Sequence, residues 1–213
     1  MGLFDEQPAP PVPDRPTLAN LREAIADCRA CELYSDATQP VMGEGRAGAR
    51  LMLVGEQPGD REDREGHPFV GPAGRVLDDA LERAGIDRRD AYVSNVVKHF
   101  RFTRRGQRRI HQTPERAHVT ACRPWLEAEL AVVAPQALVL LGATAAQAIL
   151  GSHIRIGKHR GVPQESDLAE LVTLTAHPSS VLRAEDEDRA AAMDQLVADL
   201  RGVGIWMADH RGA

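Results

Sequence analysis

The stretch that most constrains this chain is residues 51–74, LMLVGEQPGDREDREGHPFVGPAG. It opens on the short apolar run Leu51-Met52-Leu53-Val54, which reads as a strand buried on both faces. The run breaks at Gly55-Glu56-Gln57-Pro58-Gly59. A strand that gives way to such a loop marks the carboxyl edge of an open α/β sheet, where ligands bind. The loop then carries acids, an aromatic (Phe69) and a second cluster, Gly71-Pro72-Ala73-Gly74. Pro72 suits a first helical turn, and the spacing predicts a helix over 74–83 with Val76, Leu77 and Leu81 inward. Taken alone, the stretch also fits an ordinary strand-to-helix turn. It has neither the GxxxxGK[ST] of a P-loop nor the GxGxxG of a dinucleotide fold, which argues against both of those nucleotide classes.

Three more apolar runs share this character. Residues 91–97 (AYVSNVV), 137–141 (ALVLL) and 171–175 (LVTLT) each read as strands. Helical patterns separate them: one from Thr113-Pro114-Glu115 to about residue 133, a short one over 144–150, and a last one over 188–201. Ahead of them, Thr17 is placed to cap a helix whose Leu18, Leu21 and Ile25 share a face. Strands alternating with helices predict an α/β fold, a three-layer αβα sandwich on a central four-stranded parallel sheet. The expected organisation is a flexible N-terminal arm over 1–16, one domain over 17–203 and a frayed tail over 204–213. At 213 residues there is room for a sizeable core. No apolar run approaches the ~20 residues that cross a bilayer. The opening MGLFDEQPAPPVPDRP has no basic or apolar leader region, so the expectation is a cytoplasmic monomer with no membrane partner.

The net charge of −5 does not advertise a nucleic-acid partner, so the distribution of charge matters more. Between residues 98 and 112 lies KHFRFTRRGQRRIHQ, read as a long basic loop. Arginine forks suit phosphates, and interleaved phenylalanines suit stacking on exposed bases. Cys28 and Cys31 form CxxC, and Cys122 stands far off in Ala121-Cys122-Arg123-Pro124. A redox pair, a zinc site and unrelated buried thiols all remain open on spacing alone.

Taken in order, Gly55-Glu56-Gln57-Pro58-Gly59, Pro68-Phe69-Val70-Gly71-Pro72-Ala73-Gly74, Asn95-Val96-Val97-Lys98-His99, Ala121-Cys122-Arg123-Pro124 and His177-Pro178-Ser179-Ser180 resemble the landmarks of the family 4, iron–sulfur uracil-DNA glycosylases. The likeness spans roughly residues 18–200. One departure is informative: His99 stands where that family has a cysteine. The resemblance therefore implies a [4Fe–4S] cluster on Cys28, Cys31, His99 and Cys122, since imidazole can replace thiolate on iron. Arg108-Arg109-Ile110-His111 and the GEQPG loop are similar to the UdgX branch of the superfamily, whose usual KRRIHK reads QRRIHQ here.

That branch implies excision of uracil followed by covalent capture of deoxyribose C1′ on the loop histidine, in a single turnover. The alternative is an ordinary glycosylase that releases free uracil and an abasic site from uracil-containing DNA. The implied catalytic residues are His111, Glu56, Gln57, His177 and Arg109. Gln57, Phe69, Asn95 and His177 are implied to bind uracil. Gly71, Lys98, Arg108, Ser179 and Ser180 are implied to bind DNA.

Overall fold

The computed structural model describes residues 9–210. The first eight residues of the expected arm, and the last three of the expected tail, lie outside them. Residues 9–16 form no helix or strand, and Val12 packs on the cluster of Leu21, Ile25 and Trp125. Thr17 caps α1 (Leu18–Ala24): its hydroxyl accepts from the Asn20 N–H at 3.2 Å, and the Asn20 side chain accepts from the Thr17 N–H.

Four strands, β1 (Leu51–Gly55), β2 (Ala91–Asn95), β5 (Ala137–Leu141) and β6 (Leu171–Thr175), form one parallel sheet in the order β2-β1-β5-β6. Period-two alternation divides each apolar run between two layers. Leu51, Leu53, Val139 and Leu141 meet α3 (Pro72–Arg83) and α8 (Asp186–Asp209) on one face. Met52, Val54, Leu138 and Leu140 meet α4 (Arg116–Val133) and α5 (Ala143–Leu150) on the other. This is the three-layer α/β sandwich that the alternating pattern predicts. Three short helices, α2 (Asp60–Glu65), α6 (Ile156–His159) and α7 (Ser179–Arg183), sit in the connections and have no strong signal in the sequence.

The largest departures from expectation are in the last helix, the second strand and the basic stretch. The last helix does not stop at 201. It runs to Asp209 through Gly202 and Gly204, with Val203 buried, and Arg50 donates to the Met207 carbonyl at 2.8 Å. Tertiary contact outweighs the low helix propensity of two glycines there. The strand at 91 ends at Asn95, because β1, its partner, ends at Gly55. The basic stretch is no loop: β3 (Phe102–Arg105) and β4 (Arg108–His111) pair as an antiparallel hairpin. Its two-residue turn begins at Gly106 with φ 59°, the positive φ that type II′ hairpin turns give to glycine.

The chain runs from β1 outward to β2, then returns past β1 to β5 and β6. The order therefore reverses between β1 and β5, the position at which open α/β sheets bind ligands.

Candidate active site

A cleft of about 840 Å³ opens at the carboxyl edge of the sheet. Its walls come from the ends of all four parallel strands: Glu56 after β1, Asn95 closing β2, Gly142 and Thr144 after β5, and His177 after β6. Phe69 and the hairpin's His111 complete the lining.

Phe69 is 8% exposed and sits at φ 56°, a conformation rare for a bulky residue. Its ring stacks on His177 with centroids 6.0 Å apart. Beside it Asn95 is 2% exposed, and its Oδ1 is buried without a hydrogen-bond partner. A buried amide oxygen left unpaired costs about 1–3 kcal/mol, which a ligand donor recovers. Gly55 permits this arrangement: a Cβ there would lie 2.5 Å from Asn95 Oδ1 and 2.7 Å from Phe69 Cζ.

His177 accepts the Ser179 N–H on Nδ1 at 3.1 Å, and the Ser179 hydroxyl lies 2.8 Å from the same nitrogen. That hydroxyl accepts in turn from Arg183 at 2.8 Å, so its own proton goes to His177. With Nδ1 occupied as an acceptor, the ring proton resides on Nε2. Burial pushes the His177 pKa down to about 4; Glu56 opposes this, while Arg183 and His111 add to it. The ring is therefore a neutral donor at pH 7.

His111 stands at the rim, half exposed, with Nε2 3.2 Å from Glu56 Oε1. The other Glu56 oxygen accepts from the Thr144 hydroxyl. Burial works to raise the Glu56 carboxyl, but the bonds from His111 and Thr144 and the nearby imidazoles outweigh it and hold the pKa below its usual value.

The hairpin that carries His111 is locked from both ends. Gln57 donates to the carbonyls of Arg101 at 3.2 Å and Gln112 at 3.0 Å, and accepts the Arg101 N–H at 3.0 Å. The Arg109 side chain is only 6% exposed. It donates to Asp60 Oδ1, to Asp63 Oδ2 at 2.6 Å, to the Asp60 carbonyl at 3.1 Å and to Thr38 Oγ1 at 3.2 Å. Its guanidinium also lies over the rings of Phe100 and Phe102, at 5.4 and 5.0 Å.

Several expected roles change with these contacts. Gln57 lines the cleft, but its carboxamide is spent on the hairpin base and does not read a base edge. Lys98 is not a DNA contact. It is fully buried and donates to Glu129 Oε2 at 2.5 Å, Ser94 Oγ at 2.8 Å and the Asn95 carbonyl at 2.7 Å. The Gly71 N–H is already given to Glu62 Oε1 at 2.8 Å, and the other Glu62 oxygen accepts the Gly59 N–H at 3.1 Å. The hydroxyls of Ser179 and Ser180 are turned inward as well, toward His177 Nδ1 and its carbonyl. Of the residues expected on DNA, Arg108 is exposed on the hairpin beside Arg104 and Arg105. Asp60, Asp63, Glu62, Thr144 and Glu129 also hold the site together, and no local pattern in the sequence marks them for it. The acids of the first loop were visible, but their partners lie far along the chain.

Cys28, Cys31, His99 and Cys122 are each at most 4% exposed. The Trp125 indole donates to Cys28 Sγ at 3.2 Å. Hydrogen bonds from Cys122 first and then from His99 draw the Cys31 thiol down to about 5 against the effect of burial. The same Cys31 contact, with burial, pushes Cys122 up. His99 Nδ1 is buried without a partner. Among the described residues, however, no group of three or more His, Cys, Asp or Glu side chains is arranged to hold a metal ion. The donor set fits a soft metal group in chemistry and burial, while Cys31 pairs with Cys122 and His99, and Cys28 with Trp125.

Comparison with known proteins decides the family. The model of the uracil DNA glycosylase superfamily matches residues 42–201. This chain belongs to that superfamily. It is 40% identical over 162 residues to a type-4 uracil-DNA glycosylase of Thermotoga maritima, covering 76% of this chain and 81% of the relative. It is 36% identical over 173 residues to a type-4 enzyme of Pyrobaculum aerophilum, covering 78% and 85%. A type-5 uracil-DNA glycosylase of the same organism is 30% identical over 182 residues, covering 77% and 76%. The match to the superfamily spans both walls of the cleft, from before β1 to the middle of α8.

Proposed function

We propose that this superfamily member excises uracil from DNA and captures the exposed deoxyribose C1′ on His111, as a single-turnover protein of the UdgX type. The observation that carries the second step is the placing of His111: an imidazole at the cleft rim, 3.2 Å from a carboxylate, on a hairpin held by the buried Arg109.

A uracil must first leave the stack or come from a single strand. Phe69 then supports its face. Asn95 Oδ1 accepts N3–H, and the same amide donates to O4. His177 Nε2–H donates to O2. As the C1′–N1 bond breaks, its electron pair leaves with uracil, and the His177 and Asn95 donors stabilise the anion. The sugar is left cationic at C1′. The His111 ring nitrogen not held by Glu56 supplies a lone pair and forms a C–N bond. The ring becomes an imidazolium whose charge faces Glu56, and the released uracil anion takes a proton from water. An alkylated imidazole is a poor leaving group, so the chain is spent.

Cys28, Cys31, His99 and Cys122 are proposed to hold a [4Fe–4S] cluster. Three buried thiols and an unpaired imidazole nitrogen support this donor set, and the cluster's role would be to tie the hairpin root to the cysteine loop. No redox step is needed for excision. Exposed Arg104, Arg105 and Arg108 are proposed to meet the DNA backbone, and the protein to act as a cytoplasmic monomer. The relatives' names, type-4 and type-5 uracil-DNA glycosylase, support excision and fit equally a second reading, a multiple-turnover glycosylase that gives C1′ to water. His111→Gly separates the two: the variant should release uracil and leave abasic DNA without cross-linking. An adduct that persists at parent level in His111→Gly would remove the capture step.

A further inference from the structure

The buried ion pair of Lys98 and Glu129 has no part in the chemistry above, and both side chains are fully excluded from solvent. A pair so placed is weak evidence for stability, because desolvation offsets most of its attraction. Its connections point elsewhere. Strand β2 is an edge of the sheet. Residue 44 covers that edge at Val93, exchanging N–H and carbonyl bonds of 2.8 Å, and the same segment bonds again only past the strand's end, where the Val41 N–H donates to the Lys98 carbonyl at 2.7 Å. The peptide joining Asn95 to Val96 is the last one of the strand. On its inner side the Val96 N–H donates to the Gly55 carbonyl at 2.9 Å. On its outer side, where no strand follows, the Asn95 carbonyl accepts from Lys98 Nζ at 2.7 Å.

We propose that Lys98, held by Glu129, is a positioning residue that stands in for the missing neighbour strand and fixes the peptide from which the Asn95 carboxamide reads uracil. The ammonium has three protons, and all three are spent, on Asn95 O, Ser94 Oγ and Glu129 Oε2. Glu129 is anchored independently by the Gly43 N–H at 2.9 Å and the Tyr92 hydroxyl at 2.9 Å. It also accepts from Ser94 Oγ at 2.8 Å. The Asn95 peptide is thereby referred to α4 on one side and β1 on the other. Its side chain, with Oδ1 buried and unpaired, has only a short lever on which to drift. This inference rests on Asn95 reading uracil, as proposed above.

The test is the pair Lys98→Met with Glu129→Gln, which removes both charges and leaves an acceptor for Gly43 and Tyr92. Two readouts are taken. The first is amide exchange at Val96, which does not depend on activity: protection should fall at least tenfold while the far-UV spectrum and Tm stay near the parent. The second is single-turnover uracil release. It should slow at least tenfold in the Asn95 protein and less than twofold when Asn95→Ala is already present, since the pair then has nothing left to position. Equal losses in both backgrounds, or parent-like protection at Val96, would overturn the inference. If the parent itself releases no uracil, the proposed function fails, and the Val96 readout still decides whether the peptide is pinned. Should the double variant not fold, Glu129→Asp draws the ammonium away from the carbonyl. It should give a threefold to tenfold loss that vanishes with Asn95→Ala, and no loss would overturn the proposal.

Discussion

Replacing Arg109 with methionine should disable capture while sparing excision. The arginine is the only bridge from the hairpin's second strand to α2 among the contacts described, and Asp63, its partner at 2.6 Å, is fully buried. Two bonds from the Thr38 N–H, at 2.9 and 3.1 Å, remain to Asp63 in the variant, but its charge is then unpaired. Breaking a buried pair from one side costs about 3–5 kcal/mol. A two-stranded hairpin is marginal by itself, so it can swing away and let water reach the acid. The cost then appears as local opening of β3 and β4, which keep Gln57 at their base and the half-exposed contact of His111 with Glu56. About 3 kcal/mol shifts a closed-to-open ratio by roughly a hundredfold. Single-turnover adduct formation on a denaturing gel should fall by up to that factor, the full loss holding where the parent hairpin is itself only marginally closed. Uracil release should stay within about threefold of the parent, because Phe69, Asn95 and His177 lie on other elements, at the strand ends and the first loop. Arg109→Lys should recover little, since one ammonium cannot span Asp60, Asp63 and Thr38 together. Parent-like adduct yield in Arg109→Met, with the amides of β4 still protected from exchange, would refute the reasoning.

Other outcomes follow from the same contacts. Asn95→Ala should cost several kcal/mol in excision, about a hundredfold or more in rate, through loss of readout of a desolvated base edge; an unchanged rate would place the pocket elsewhere. His177 titrates at about 4, so NMR of its ring should show it neutral from pH 7 to 5 and excision should persist across that range. Because its folded pKa is depressed, the unfolded chain takes the proton first, and the stability His177 contributes should decline as pH falls from about 6.5 toward 4; a ring that titrates near 6.5 in the folded protein would contradict this. Purified protein should carry about four irons per chain, and His99→Cys should retain them; stoichiometric zinc without iron would replace the cluster assignment.

The sheet was legible because both-face burial writes itself as unbroken apolar runs: all four parallel strands are foreshadowed by Leu51-Met52-Leu53-Val54 and its three counterparts. The site was legible in part. Residues that close strands, such as Glu56, Asn95 and His177, stand where the runs stop, so position alone nominates them. The basic stretch misled because its arginines come in pairs, Arg104-Arg105 and Arg108-Arg109, with no apolar alternation through them, and only the isolated Gly106 hints at a turn. Lys98 and Gln57 misled for a different reason. A lysine beside a basic run and a glutamine in a glycine loop look like ligand contacts until their partners, Glu129 and the Arg101 and Gln112 backbone, are brought in by the fold. No local pattern encodes a contact across thirty or more residues.

The intact mass of the protein after mixing with a uracil-containing oligonucleotide, followed by tryptic mapping, tests the central claim most directly. Covalent capture should add one oligonucleotide less its uracil to each active chain, with the deoxyribose on the peptide that contains His111 and one uracil released per chain. An unmodified protein, with uracil and abasic DNA accumulating in excess over it, would contradict the claim and leave an ordinary glycosylase in its place.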